Sequence, residues 1–250
     1  MFPLSNGIEL NFKDDWKEAL IAEMEASGYV IDPNKSVQDI SSIYFNWKRR
    51  IVAPKKRKVH ISKEMKFNPK YRKSFRKIIK HIEMGADITP FLSKTTTRTE
   101  YNDLLLNDWK IHHLHLGKKH EDNGIFIERT KDVLFIRFEE KDAYFIQVLD
   151  HKSFSAQEMV RIIDKNWPKL IETYQMPVDS TSSSIISDEE KHQFRKNGIN
   201  SAVSVGNETT YMPIGLGITG AKTSTEAEIT SDKYLNSLSL ITIKTSNLLF

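Results

Sequence analysis

The chain has 250 residues, with 37 Lys and Arg against 33 Asp and Glu, a formal net charge of +4 and no cysteine. That length can bury a substantial core without covalent staples, as one large domain or two small ones. Without thiols, a disulfide scaffold, thiolate catalysis and any zinc site built on sulfur are excluded. No stretch approaches ~20 consecutive apolar residues, so no membrane-spanning helix and no membrane partner are expected. Residues 1–14 lack the basic start and apolar run of a secretory signal, and the expected location is the cytoplasm.

In chain order, Trp16, Ala19, Leu20, Ile21 and Met24 recur with helical spacing and predict a helix over 14–27, ended by Gly28. The turn Asp32-Pro33-Asn34 leads to a second helix over 37–47, with Ile40, Ile43, Tyr44 and Trp47 on one side. After Pro54, residues 69–84 predict a basic amphipathic helix with the stripe Tyr71, Phe75, Ile78, Ile79 and Ile82, capped by Gly85. A polar linker over 88–99 and a short helix over 100–107 follow. The period then changes from 3.6 to 2: residues 111–116, 133–138 and 143–149 read as strands, the last two joined by a hairpin through 139–142. Helical spacing returns over 155–167, just before Pro168.

Residues 175–190, rich in Ser, Thr, Asp and Pro, read as an excursion from the fold. Two short strands, 201–205 and 209–214, flank Gly206-Asn207. Gly215, Gly217 and Gly220 lack the Gly-Lys-Ser/Thr ending of a phosphate loop and the setting of a dinucleotide fingerprint, so they read as a glycine-permitted loop beside the site. The end of the chain, 237–250, reads as a strand or helix docked on the core. The expected fold is α+β: a helical, basic amino-terminal region over 1–92, then a domain over 99–250 with an antiparallel sheet and packed helices.

Between Lys48 and Lys80, fifteen Lys and Arg stand against one acidic residue, Glu64. A field of one sign attracts polyanions, above all a phosphate backbone; the plain alternative is a solvated basic surface. The candidate nucleic-acid contacts are Lys55, Lys56, Arg57, Lys58, Arg72, Lys73, Arg76, Lys77 and Lys80.

The most informative text is Asn107-Asp108-Trp109-Lys110-Ile111-His112-His113-Leu114-His115-Leu116-Gly117. On a strand, His113 and His115 share one face with Ile111, while His112 joins Leu114 and Leu116 on the other. Two imidazoles so placed can bind a metal ion or share acid and base work. His151 follows the strand 143–149 and can return to the same site. Arg137, a charge inside an apolar strand, can hold an anion by a bidentate contact. The competing structural roles are a half-buried core position for His112, a solvated hairpin face for Arg137, a loop for His120, and core anchors for Trp109 and Trp167.

These residues carry a resemblance. Residues 107–117, 129–138, His151 and Asn166-Trp167-Pro168 resemble a group of uncharacterised bacterial and phage-associated proteins with a DW-x-IHHLHLG signature, over about 101–168. In order of elements and residue type alone, the chain is also similar to RNase toxins of the RelE type, which cut RNA without metal. It departs from two-histidine phosphoesterases, having no second His-x-Ser/Thr copy, and from zinc peptidases, having no His-Glu-x-x-His.

The leading expectation is a metal-independent, cofactor-free endoribonuclease, toxin-like or acting in phage defence. The basic run would hold RNA, Arg137 would neutralise the phosphate, and His113, His115 or His151 would serve as base and acid. The alternatives are a zinc-dependent hydrolase with His113, His115 and His151 as ligands and Asp150 or Asp108 beside them, and a non-catalytic nucleic-acid-binding module with a protein antitoxin or defence partner.

Overall fold

The computed structural model describes residues 2–3, 9–121, 124–177, 186–206 and 209–248. A minimal antiparallel pair, β1 (Phe2–Pro3) and β2 (Glu9–Leu10), precedes α1 (Phe12–Ala26) and α2 (Val37–Arg50). Ser36 caps α2, its side chain accepting the Asp39 N–H at 3.1 Å. The basic run then supplies both a strand, β3 (Lys58–Ile61), and a helix, α3 (Arg72–Met84). A tight turn over Pro69–Tyr71 introduces α3, and Gly85 ends it at φ 72°, where a side chain would also strike the Lys56 backbone. Next come α4 (Leu104–Trp109), β4 (His112–His115), β5 (Asp132–Phe138), β6 (Asp142–Asp150) and α5 (Glu158–Asn166). The chain continues through α6 (Asp188–Lys196), β7 (Val203–Val205), β8 (Thr209–Tyr211) and α7 (Thr225–Leu248).

The fold is α+β, as the change of period implies. Its main sheet has the order β3-β6-β5-β4, with β4, β5 and β6 antiparallel. The sheet is mixed rather than purely antiparallel, because β3 joins β6 in parallel and returns to it by a long crossover that includes α3. One face carries Leu114, Leu116, Leu134, Ile136, Phe138 and Phe145, packed beneath Phe75, Ile78 and Ile82 of α3. The opposite face carries Ile111, Val133, Phe135 and Ile146 beneath Met159, Val160, Ile162 and Ile163 of α5, with β7 and β8 at its border. The first core therefore draws on both sides of the 92–99 connection. A third cluster joins α1 to α2, and α7 lies along both: Ser42 donates to Glu228 at 2.5 Å and Trp16 stacks on Tyr234 at 5.4 Å.

Several elements differ from expectation for local reasons. The helix expected over 100–107 begins at Leu104, because the Asp103 carboxylate accepts the N–H groups of Leu105 and Leu106 at 3.1 and 3.0 Å. The excursion expected over 175–190 already holds the start of α6, where Ser187 and Glu190 form a reciprocal capping box; 178–185 lie outside the described residues. The end of the chain is helix from Thr225 onward, and 249–250 lie outside the described residues, as does Asn207 of the expected turn. Among the described residues no helix is long and apolar enough to cross a membrane.

Candidate metal centre

The site begins with α4, which aims the chain into β4. Lys110 takes the left-handed conformation at φ 56° and turns the chain at the end of α4. The glycine-spaced loop closes on the same helix end. Gly215 donates to the Asp108 carbonyl at 2.9 Å and Gly217 to the Asn107 carbonyl at 2.8 Å, satisfying carbonyls a helix terminus leaves open. A Cβ at Gly215 would lie 2.4 Å from the Asn107 oxygen, so glycine permits the approach. The loop braces α4.

Strand alternation then places His113 and His115 on the α5 face of the sheet. His113 pairs with Phe135 and His115 with Val133, both members of that core. His151 reaches this face through a bulge. Ile136 pairs with Phe145 while Phe135 pairs with Gln147, so Ile146 is the extra residue in β6. A one-residue insertion inverts the phase of the strand beyond it. Leu149 accordingly sits on the α5 face opposite Val133, and His151, two residues on, follows it. The His151 N–H donates to the Lys131 carbonyl at 2.7 Å, extending the pairing by one step.

The three imidazoles meet there. One ring nitrogen from each of His113, His115 and His151 lies within 4.8 Å of the other two. His115 and His151 are stacked with centroids 5.5 Å apart, and His113 stands edge-on to both, at 5.8 and 5.5 Å. Phe154 walls the group, 4.9 Å from His113 and 5.0 Å from His151. His113 and His115 are 8% and 2% exposed, and the Nε2 atom of each is buried without a hydrogen-bond partner. Two such atoms together are costly, since a buried polar group without a partner forfeits about 1–3 kcal/mol. His151 is half-buried and opens the group to solvent.

Burial holds these side chains neutral. It pushes His113 down to about 3, helped by the neighbouring His151, and His115 down to about 3, helped by His113 and Arg129. His151 is lowered as well, by burial and then by the Arg129 charge. Neutral imidazole is the form that binds a metal ion. Nitrogens at the corners of a triangle of 4.8 Å edge would stand ~2.8 Å from its centre, so contraction to a Zn–N bond of about 2.0–2.1 Å moves each by under ~1 Å. Ligation through His115 Nε2 puts the ring proton on Nδ1, so the 3.3 Å contact there from the Thr130 N–H is given up, and ligation by His151 likewise releases Arg129 Nη2, 3.4 Å from its Nε2.

The other expected site residues lie elsewhere. Arg137 is on the same sheet face, two residues, about 7 Å, beyond Phe135, the partner of His113; its Nε donates to Glu139 at 2.8 Å, while its Nη1 is buried without a hydrogen-bond partner. Asp108 is buried against Lys191 at 3.0 Å and Arg195 at 2.7 Å and is already doubly compensated. Asp150 accepts from the Lys152 N–H at 2.8 Å and lies 3.7 Å from Lys131. His112 faces the α3 side, near Phe138, with Nε2 3.1 Å from the Arg49 carbonyl. Trp109 is a core anchor beneath the Arg195 guanidinium at 4.0 Å; Trp167 packs on Tyr144, and His120 forms an isolated bridge with Ile127.

Of the proposed nucleic-acid contacts, Lys55 pairs with Glu140, and Arg57 donates to the Glu139 carbonyl at 2.9 Å and covers Phe138. Lys56, Lys58, Arg72, Lys73, Arg76, Lys77 and Lys80 are exposed. Sequence reasoning missed Arg129 and Phe154 beside the histidines. Arg129 was legible only through its parity with Val133, and Phe154 carried no signal beyond nearness to His151. Comparison with known proteins found no matching family model, curated protein or solved structure.

Proposed function

We propose that the protein is a metal-dependent hydrolase whose ion, zinc by ligand type, is held by His113, His115 and His151. The observation that carries this reading is the pair of buried, partnerless Nε2 atoms on His113 and His115, with a third imidazole within reach. Bound by these three imidazoles, such an ion would supply the Lewis acidity that makes water nucleophilic near neutral pH. The chain's own residues do the rest. Phe154 excludes solvent from the buried side, and the exposed Arg129 beside His151 offers a donor for an anionic substrate oxygen.

The same geometry disfavours acid–base chemistry without metal. That mechanism needs one imidazolium near neutral pH, whereas burial keeps His113 and His115 neutral down to about 3 and lowers His151 as well. The basic helix α3 also packs on the opposite face of the sheet from the histidines.

The test is hydrolysis of a panel of nitrophenyl phosphate monoesters, phosphodiesters and carboxylic esters by metal-stripped protein, with and without added zinc or manganese. Activity on at least one ester that appears with metal and disappears in His115→Ala supports the reading. RNA cleavage that persists in EDTA and is lost in His113→Ala returns the site to metal-independent chemistry.

A further inference from the structure

The outer face of α3 is a ridge of cations, one of which, Lys77, also lies 5.6 Å over the Phe91 ring. Every exposed residue of α3 between positions 72 and 80 is Arg or Lys: Arg72, Lys73, Arg76, Lys77 and Lys80. None of the five has a carboxylate partner among the described residues. The earlier part of the basic run behaves differently. Lys48 pairs with Glu23, Arg49 with Glu226 and Lys55 with Glu140, while Arg50 is buried and donates to the carbonyls of Thr95, Arg98 and Thr99. Of the fifteen cations, Lys48, Arg49, Arg50, Lys55 and Arg57 are tied into the fold, Lys56, Lys58, Lys63, Lys66 and Lys70 are exposed outside α3, and five stand together on the outer face of α3.

The ridge also breaks two rules of helix stability. Arg72 and Lys73 open α3 with no acidic residue in its first turn, so they face the positive end of the helix dipole. Arg72 and Arg76, Arg76 and Lys80, and Lys73 and Lys77 are like charges four residues apart, on the same side of the helix. Such local conflicts, held in place by the apolar underside of α3, concentrate at sites of function. From residue 72 to 80 the ridge is about 12 Å long, with steps of about 6 Å along each row.

We propose that the outer face of α3 binds the phosphate backbone of a nucleic-acid duplex without reading its bases. A duplex carries one charge per ~1.7 Å of axis, so the ridge spans about seven phosphates. The face has no exposed aromatic residue on which single-stranded bases could stack, and no exposed apolar residue among its cations to enter a lipid surface. Because α3 and the three histidines occupy opposite faces of the sheet, this binding is independent of the metal centre.

The experiment is fluorescence anisotropy of a labelled 24-base-pair DNA duplex of mixed sequence with the full chain, titrated from about 50 to 200 mM salt. Five contacts predict a log–log salt slope of about −4.5 and a roughly 500-fold loss of affinity over that range. The variant K73E/R76E/K77E/K80E should bind at least tenfold more weakly at low salt, with a slope near −1. The milder R76Q/K77Q/K80Q, checked for an unchanged melting temperature, should shift the slope by about three. His113→Leu should bind as the wild type does. A slope flatter than −2, unchanged binding by the folded glutamine variant, equal or tighter binding of a single strand of the same length, or binding of acidic lipid vesicles in preference to the duplex would each overturn the proposal.

Discussion

His113→Leu separates a site built for a ligand from a site built for stability. Leucine has a similar volume and removes a buried nitrogen that has no partner, relieving a penalty of about 1–3 kcal/mol. It also forfeits the edge-on contacts of His113 with Phe154 and His151, worth roughly 0.5–1.5 kcal/mol. In EDTA the two effects together leave the variant between about 0.5 kcal/mol less and about 2.5 kcal/mol more stable. In zinc the balance reverses. The wild type at a hundredfold excess over its Kd gains about 2.7 kcal/mol, equivalent to about 5–11 °C for a chain of this size, and the variant gains almost nothing. Scanning calorimetry of both proteins, with EDTA and with zinc, reads all four states. A variant that loses more than about 2 kcal/mol in EDTA, beside a wild type indifferent to zinc, would refute the reasoning and make His113 a structural residue.

Asp108→Asn should be far more damaging than any histidine change, by about 3–5 kcal/mol in urea unfolding, because it leaves Lys191 and Arg195 buried without their shared carboxylate; a loss below 1 kcal/mol would contradict that. Exchanging Asp150 and His151 moves the imidazole to the opposite side of the strand end and should abolish zinc binding with little change in melting temperature. Retained zinc affinity in that variant would disprove the face assignment. In EDTA, the folded chain keeps His113 and His115 unprotonated down to about 3, whereas in the unfolded chain they take up protons near 6.5. The unfolded state therefore binds more protons between those values, and stability should fall as pH drops from about 6.5 toward 3, by on the order of 1–2 kcal/mol per histidine by pH 5. Urea midpoints that stay level from pH 7 to pH 5 would exclude neutral burial.

What the sequence revealed and concealed follows from how far each signal reaches. The stripe of α3 and the alternation of β4 and β5 are local patterns, and each predicts its buried face. The pairing of His113 with His115 needed nothing beyond strand geometry. The position of His151 was expected near them, but its face depends on Ile146, a single inserted residue that leaves no compositional mark. β3 was concealed because its Lys-Val-His-Ile sequence sits in a run of charge and gains its strand partner, β6, from far along the chain. α7 has a mixed surface of Ser, Thr and Glu, and its contacts are distant: Glu226 with Arg49, Glu228 with Ser42, Tyr234 with Trp16. The Ser187–Glu190 capping box was written in the sequence and hidden by the polar composition around it. Arg49 and Arg50 read as part of a basic surface until distant partners buried them; Arg137 read as an anion clamp, and Glu139, two residues on, holds its Nε while its Nη1 stays buried without a partner.

The central claim is that His113, His115 and His151 form one ion site, and calorimetric titration of metal-stripped protein with zinc tests it most directly. The account predicts one zinc per chain for the wild type, and no saturable binding for a folded H113L/H115L/H151L variant. A wild type that takes up no zinc, or a triple variant that binds it with the same stoichiometry and affinity, would contradict the account.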